Sequence, residues 1–305
     1  MAQQPSHYSM YMLNHFSWNP AYAGLDNSLS ITGVYRSQWV GLEGSPVTQN
    51  INAHLPLYVA SSGIGINLEN DQLGAQRLTS INLSYNFQRE LGAGILSLGA
   101  RAGIVQRSLD GSKILTPDGE YGEPGVPPLH NDDLLPTEEV NGSVTTFGVG
   151  LYYQSEKLES GLSISNITEP SADLGKLKLK MTRNYFFTLG MHFDLNSSVS
   201  IHPSILVRSD LIQTQTDFST IVRYNDNIFF GASFRGYNSN SIDALVLLAG
   251  LKLSENITLA YAYDLTLSGL RTVNSGSHEV MLNYNLNKIF GAGRPPKIIY
   301  NPRSL

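Results

Sequence analysis

Cysteine is absent from this chain of 305 residues, which excludes disulfide frameworks, thiol nucleophiles and zinc sites built on cysteine. Long apolar runs are absent as well. No stretch approaches the roughly 18 uninterrupted apolar residues that a transmembrane helix requires, and the richest run, 244–251, is too short. Charged residues are scarce at 15%. The net charge of −5, without a cluster of lysine and arginine, argues against nucleic acid as a partner.

Apolar side chains instead alternate with small or polar ones along short segments. In 79–88, Ile81, Leu83 and Tyr85 share one face of an extended chain, and the polar residues between them share the other. This alternation predicts fourteen strands, at 29–38, 48–57, 62–71, 77–89, 93–107, 144–155, 158–167, 182–194, 198–209, 214–225, 227–237, 241–253, 256–266 and 277–287.

The connections between these segments alternate between long and short. Strands with one apolar face, joined by short turns at one end and longer loops at the other, are typical of outer-membrane barrels. Every backbone amide in a bilayer must be paired, so the strands must close into a ring. We therefore predict an all-β fold, a closed antiparallel transmembrane β-barrel of about fourteen strands in the outer membrane. A soluble β-sandwich or propeller is the alternative, but it does not predict alternating loop lengths.

Three regions follow from this prediction. Residues 1–28 precede the first strand, and they are too apolar for a free periplasmic tail, so we expect them to plug the lumen or to contact a periplasmic partner. Residues 29–290 form the barrel, and 291–305 form a periplasmic tail. We expect an upstream signal peptide. The longest loop, 108–143, is rich in proline and glycine, and we expect it to act as a lid or a docking surface.

Several charged side chains fall on the face predicted to line the lumen, because an arginine facing lipid at mid-membrane costs about 2 to 4 kcal/mol. Two interpretations remain open: mutual ion pairs across the interior, or a role as a charged conduit or as a seat for a bound segment. The predicted lumenal charges are Arg36, Arg101, Asp194, Arg208, Asp217, Arg223, Arg235, Asp264 and Glu279. A group of aromatic residues near strand ends predicts an interfacial girdle: Tyr58, Phe87, Tyr152, Tyr153, Phe186, Phe229, Phe230 and Tyr237.

Sites of chemistry are poorly supported. His192 and His202 could meet across neighbouring strands, but two histidines without a third ligand make a poor metal site. The segment 131–133, Asn-Asp-Asp, lacks the spacing of a calcium loop. The glycine pairs at 63 and 65 and at 148 and 150 lack the third glycine and following helix of a phosphate loop, so crowding or curvature explains them better. We predict no catalytic residues, no metal and no cofactor.

Two sequence blocks carry a family resemblance. The first is Asn-Pro-Ala-Tyr-Ala-Gly at 19–24, and the second is Tyr-Arg-Ser-Gln-Trp-Val-Gly-Leu-Glu-Gly-Ser-Pro at 35–46. Together they resemble the PorP/SprF family of outer-membrane proteins from the type IX secretion and gliding systems of Bacteroidota. From these blocks and the residues just before them we assign a set of partner-binding residues: Tyr8, Met12, Asn14, Asn19, Pro20, Tyr22, Trp39 and Gly41.

The resemblance implies a non-enzymatic barrel that delivers or holds secreted cargo, above all large adhesins with a type B C-terminal domain. Other type IX components, including periplasmic ones, are the further partners it implies, and the barrel wall contacts outer-membrane lipid. The alternative function is a channel or transporter for small or hydrophobic solutes, since fourteen strands with an N-terminal insert also describe fatty-acid import barrels.

Overall fold

The strands of this chain, in which apolar and polar side chains alternate, form a closed barrel. The computed structural model describes residues 6–116, 119, 132, 134–236 and 242–288. Its strands are β1 (Ser30–Ser37), β2 (Val47–Leu57), β3 (Ser62–Leu73), β4 (Gln76–Leu91), β5 (Gly94–Asp110), β6 (Glu139–Ser155), β7 (Leu158–Ser165), β8 (Ser171–Leu174), β9 (Leu177–Lys180), β10 (Asn184–Met191), β11 (Phe193–Asp194), β12 (Val199–Ser209), β13 (Thr214–Tyr224), β14 (Ile228–Arg235), β15 (Ala244–Lys252), β16 (Ile257–Thr266) and β17 (Ser277–Asn285).

The ring closes because the first strand pairs with the last. All eight residues of β1 pair with β17 on one side and with β2 on the other. β10 and β11 act as one barrel strand interrupted at His192, since both pair with β12. β8 and β9 form a separate hairpin. The predicted closed antiparallel barrel of fourteen strands, with the predicted order, is therefore confirmed.

The period of two sorts side chains between lipid and lumen. In β4, Leu83 and Tyr85 are exposed on the outer face, whereas Asn82, Ser84 and Asn86 are buried on the inner face. Successive side chains of a strand point to opposite faces of the sheet, so an apolar outer band and a polar lumen follow directly from the sequence. In the described ranges, no helix is long and apolar enough to cross a membrane.

The two ends of the barrel differ. Short connections join β2 to β3, β4 to β5 and β6 to β7, and outer-membrane barrels place such turns in the periplasm. We name this the turn end and the opposite end the loop end. At the loop end, β5 and β6 reach 17 residues each, longer than the segments 93–107 and 144–155 predicted for them. The β8–β9 hairpin occupies a stretch for which no strand was predicted.

The N-terminal segment lies inside the barrel. We call residues 6–28 the lumenal segment; it contains two 3-10 turns, Tyr11–Leu13 and Pro20–Tyr22, around a short helix α1 (His15–Trp18). It descends from the loop end to the turn end, where the Tyr58 hydroxyl donates to the backbone oxygen of Asn27 at 2.6 Å. The chain then passes directly into β1.

Several predicted features lie outside the described residues: the tail 291–305, the last two residues of the predicted barrel at 289–290, Tyr237, Asn131, Asp133 and most of the loop between β5 and β6. Asp132 is described, and its carboxylate accepts from the backbone N–H of Leu134 at 2.9 Å.

Candidate functional site: the barrel lumen and the lumenal segment

Six charged side chains meet inside the barrel near the loop end. Each comes from the inner face of a strand: Arg36 (β1), Arg208 (β12), Asp217 (β13), Arg235 (β14), Asp264 (β16) and Glu279 (β17). Three positive charges therefore face three negative charges, and all six side chains are buried. We call this group the charge cluster.

Arg36 is the centre of the charge cluster. Its guanidinium lies 2.7 Å from the Asp264 carboxylate and 3.1 Å from that of Glu279. Arg235 joins Asp264 to Asp217 at 3.1 and 2.7 Å. Short, charge-assisted contacts of this kind satisfy groups that would otherwise be costly to bury.

The lumenal segment completes the charge cluster. The Glu279 carboxylate accepts the backbone N–H groups of Ser9 and Met10, at 2.7 and 3.0 Å. The Ser9 hydroxyl donates to Asp264 at 2.6 Å and accepts from Arg36 at 2.8 Å. The side chains of the charge cluster thus pair with one another and also hold a segment of the same chain, and a role as a charged conduit stays a prediction.

The remaining predicted lumenal charges have different surroundings. Arg101 donates to the backbone oxygens of Phe16 and Ser17, at 2.9 and 3.3 Å, and so also holds the lumenal segment. The guanidinium of Arg223 lies over the Phe229 ring, 5.5 Å from its centroid. Asp194 is exposed at the turn end of its strand and lies away from the charge cluster.

Two side chains at the start of the lumenal segment have shifted pKa values. Burial lowers the pKa of His7, and the nearby Arg208 lowers it further, so a neutral imidazole faces the Arg208 guanidinium at 2.6 Å. Burial raises the pKa of Tyr8, as does the adjacent Glu69 carboxylate, to which its hydroxyl donates at 2.6 Å. Both groups therefore stay neutral in the seated segment.

Glycines make room for the lumenal segment against the wall. A Cβ atom at Gly150 would lie 2.0 Å from the Asn19 Oδ1, and one at Gly63 would lie 2.0 Å from the Ala23 backbone oxygen. At Gly99 a Cβ would lie 2.4 Å from the backbone nitrogen of Ala21. Close backbone approach is a standard reason for glycine in a strand. Crowding, one of the two explanations offered for the glycine pairs, applies at Gly63 and Gly150.

Six of the eight predicted partner-binding residues are buried in the lumenal segment: Tyr8, Met12, Asn14, Asn19, Pro20 and Tyr22. Asn19 shows what they do there. Its side-chain amide donates to the backbone oxygens of Leu151 and Leu162, at 2.9 and 3.1 Å, and its oxygen caps the turn that begins at Pro20. These residues fasten the segment to the wall, and a role in binding another protein stays a prediction for them.

Trp39 and Gly41 lie instead in the connection between β1 and β2, at the loop end. Gly41 is exposed, and both residues have positive φ, at 52° for Trp39 and 95° for Gly41. Backbone bonds from Val40 to Gly276 and from Gly74 to Gly44 tie this connection to its two neighbours. The part of the second sequence block that follows β1, residues 38–46, thus forms a braced rim at the loop end.

A second polar group lies at the turn end. His192 and His202 stack with ring centroids 4.0 Å apart, as the strand pairing suggested. Sequence reasoning missed Glu159, whose carboxylate lies 3.0 Å from His202 Nε2 and 3.6 Å from His15 Nε2. The distance along the chain between Glu159 and the histidines gives no sign of this contact, because only the register of β7, β10 and β12 brings them together.

Comparisons with known proteins agree with this architecture. A family model described as "Type IX secretion system membrane protein PorP/SprF" matches residues 1–284. No curated protein sequence matches the chain. Among solved structures, the toluene transporter TbuX of Ralstonia pickettii is similar with a TM-score of 0.51 at 12% identity, over 90% of this chain and 92% of that one. The outer membrane protein Omp33 of Acinetobacter baumannii has a TM-score of 0.50 at 6% identity, over 85% and 98%. At such identities the likeness concerns the fold alone.

Proposed function

Because this chain belongs to the PorP/SprF family of type IX secretion membrane proteins, we propose that it is a non-enzymatic barrel that holds secreted cargo at the cell surface. The fold and the family place it in the outer membrane. The proposed cargo is an adhesin with a type B C-terminal domain, bound from outside by the loop end. Other components of the secretion system, including periplasmic ones, are the proposed neighbours at the turn end.

The observation that carries this proposal is a platform that rises from one side of the loop end. A strand needs about 9 to 11 residues to cross the membrane, whereas β5 and β6 have 17 each and stay paired to their ends. The additional length lies outside the lipid layer. A paired hairpin of this size offers a stiff surface to a partner, which a free loop does not.

The β8–β9 hairpin packs against this platform. Ala172 and Leu174 are fully buried beneath it, and a Cβ at Gly142 of β6 would lie 2.3 Å from the backbone oxygen of Asp173. Three exposed lysines lie on the hairpin, at 176, 178 and 180, and two of them pair with carboxylates: Lys178 with Asp173 at 3.5 Å and Lys180 with Glu169 at 3.0 Å. The β8–β9 hairpin therefore combines a fixed backbone with exposed charged groups, which suits recognition of a folded protein domain.

The seated lumenal segment supports holding over conduction. It fills the centre of the barrel with buried side chains, and a cavity of about 130 Å³ remains between it and the wall. Glu69, Arg101 and Arg107 line that cavity. Buried charges are a poor lining for the path of a hydrophobic solute. A channel or transporter for small solutes is the competing function, and the experiment must distinguish it from the holding of cargo.

The test is co-purification from detergent-solubilised outer membranes. The parent barrel should retain a type B C-terminal domain, and a variant with Ser171–Lys180 replaced by a short glycine-serine turn should lose it. A matched control carries alanine at Glu156 and Lys157, in a turn at the opposite end, and should bind as the parent does. The proposal fails if the domain is never retained while the parent barrel shows a large steady conductance or solute uptake in planar bilayers.

A further inference from the structure

The polar group at the turn end has the composition of a transition-metal site. The ligand atoms of Glu159, His192 and His202 all lie within 4.8 Å of one another. Two imidazoles and one carboxylate are the three protein ligands of a common open zinc site, in which a fourth position is left for another ligand. Imidazole also favours zinc over magnesium or calcium, which prefer ligands made only of oxygen.

The surroundings of these three residues hold them in place. The Tyr152 hydroxyl donates to the second carboxylate oxygen of Glu159 at 3.0 Å, so one oxygen is oriented while the other faces the histidines. Gly190 lies behind the group, and a Cβ there would come within 2.5 Å of the Glu159 carboxylate and 2.8 Å of His202 Nε2. A hydrogen bond that orients a ligating carboxylate is a usual feature of metal sites.

A histidine of the lumenal segment lies next to this group. His15 Nε2 lies 3.6 Å from the Glu159 carboxylate, and the His15 side chain is nine-tenths buried. Its other ring nitrogen is buried with no hydrogen-bond partner among the described residues. His15 lies outside the group of ligand atoms that are all within 4.8 Å of one another, so it is a neighbour of Glu159 from the lumenal segment and not a ligand in this geometry.

We propose that Glu159, His192 and His202 bind one zinc ion near the periplasmic end of the lumen, with His15 of the lumenal segment beside the Glu159 carboxylate and the fourth position open to another ligand. The ion joins three strands of the wall by metal-ligand bonds, and the contact between Glu159 and His15 links the site to α1. It adds a second attachment for the segment, at the opposite end from the charge cluster. This inference does not depend on the proposed cargo function.

The first experiment measures zinc binding to the purified barrel without an affinity tag made of histidines. Isothermal titration calorimetry of the parent should give one zinc per chain. Glu159→Gln, His192→Ala and His202→Ala should each weaken binding by more than about 100-fold, because loss of an outer-shell partner alone costs about 10- to 100-fold. His278→Ala, a histidine on β17 beside Tyr261, is the matched control and should bind zinc as the parent does.

A second measurement needs no variant and so does not depend on the folding of one. X-ray absorption of the zinc-loaded parent should show imidazole nitrogens at about 2.0 to 2.1 Å and scattering from at least two rings. His15→Ala should keep one zinc per chain with affinity at least tenfold weaker. Zinc affinity unchanged in the His15 variant would overturn the link to the lumenal segment. The proposed site would be overturned if the parent does not bind one zinc per chain. It would also be overturned if Glu159→Gln, His192→Ala and His202→Ala all bind zinc with the affinity of the parent.

Discussion

Glu279→Gln is expected to loosen the lumenal segment without unfolding the barrel. Glu279 accepts three donors at once: the Arg36 guanidinium and the backbone N–H groups of Ser9 and Met10. A glutamine has the same shape, but one of its two acceptor oxygens becomes an NH2 donor. At least one of the three donors then meets another donor, and the charge cluster keeps three positive charges against two negative ones.

The magnitude follows from the burial of these groups. Glu279 and Arg36 are each about 1% exposed. Breaking a buried ion pair by removing one partner costs about 3 to 5 kcal/mol, most of it the uncompensated charge. Release of Ser9 and Met10 into water relieves that cost, so the equilibrium between the seated and the released segment should shift by about 10²- to 10⁴-fold.

Single-channel recording in planar bilayers measures this shift directly. We expect the parent barrel to remain closed and the Glu279→Gln barrel to open in bursts. The ratio of open to closed lifetimes should increase by the same 10²- to 10⁴-fold as the equilibrium between the released and the seated segment. Glu156→Gln, in an exposed turn, is the matched control and should behave as the parent does. Shifted mobility of unheated samples on SDS gels verifies folding. A folded Glu279→Gln barrel with the opening frequency of the parent would refute the role assigned to the charge cluster.

Three further predictions concern the segment and the wall. Deletion of residues 3–24 should produce a steady conductance or abolish complex formation, and a deletion that changes neither, by recording and by pull-down, would remove our reason for giving the segment a role. Gly150→Ala should displace Asn19 and destabilise the seated segment by about 1 to 3 kcal/mol, read as opening frequency, whereas Gly269→Ala, with open space around it, should have no effect. Leu83→Arg, on the lipid face, should lower the free energy of unfolding in vesicles by about 2 to 4 kcal/mol, and an unchanged urea midpoint would contradict the assigned face.

The barrel was predictable from the sequence because lipid imposes one rule on every strand. From Ser80 to Gln88 of β4 the apolar and polar residues alternate without a break, and the lipid and lumenal faces follow from the period alone. The N-terminal segment was predictable as a separate unit from its position and apolar character. The extensions of β5 and β6 at the loop end were less predictable from the sequence, because a strand outside the membrane does not require an apolar face.

The contacts between the lumenal segment and the barrel wall could not be predicted from the alternation of side chains along the strands. Tyr152, Phe186 and Phe229 were predicted to lie in the aromatic girdle, and this was wrong because their side chains are buried inside the barrel. The Trp18 ring lies 5.5 Å from that of Phe186, and the Tyr22 ring lies 5.1 Å from that of Tyr152. The lumenal segment provides an apolar surface inside the barrel, and aromatic side chains of the wall pack against it. The alternation along one strand does not reveal that this surface exists.

The seam between β1 and β17 also bears on how the molecule is made. The segment that fills the interior runs without interruption into β1, the first strand of the ring, and β1 bonds to β17, the last. An insert connected in this way must either be laid down before the seam is joined or be drawn afterwards through the opening at the periplasmic end. In the first of these two routes, the pairing of β1 with β17 also encloses the lumenal segment.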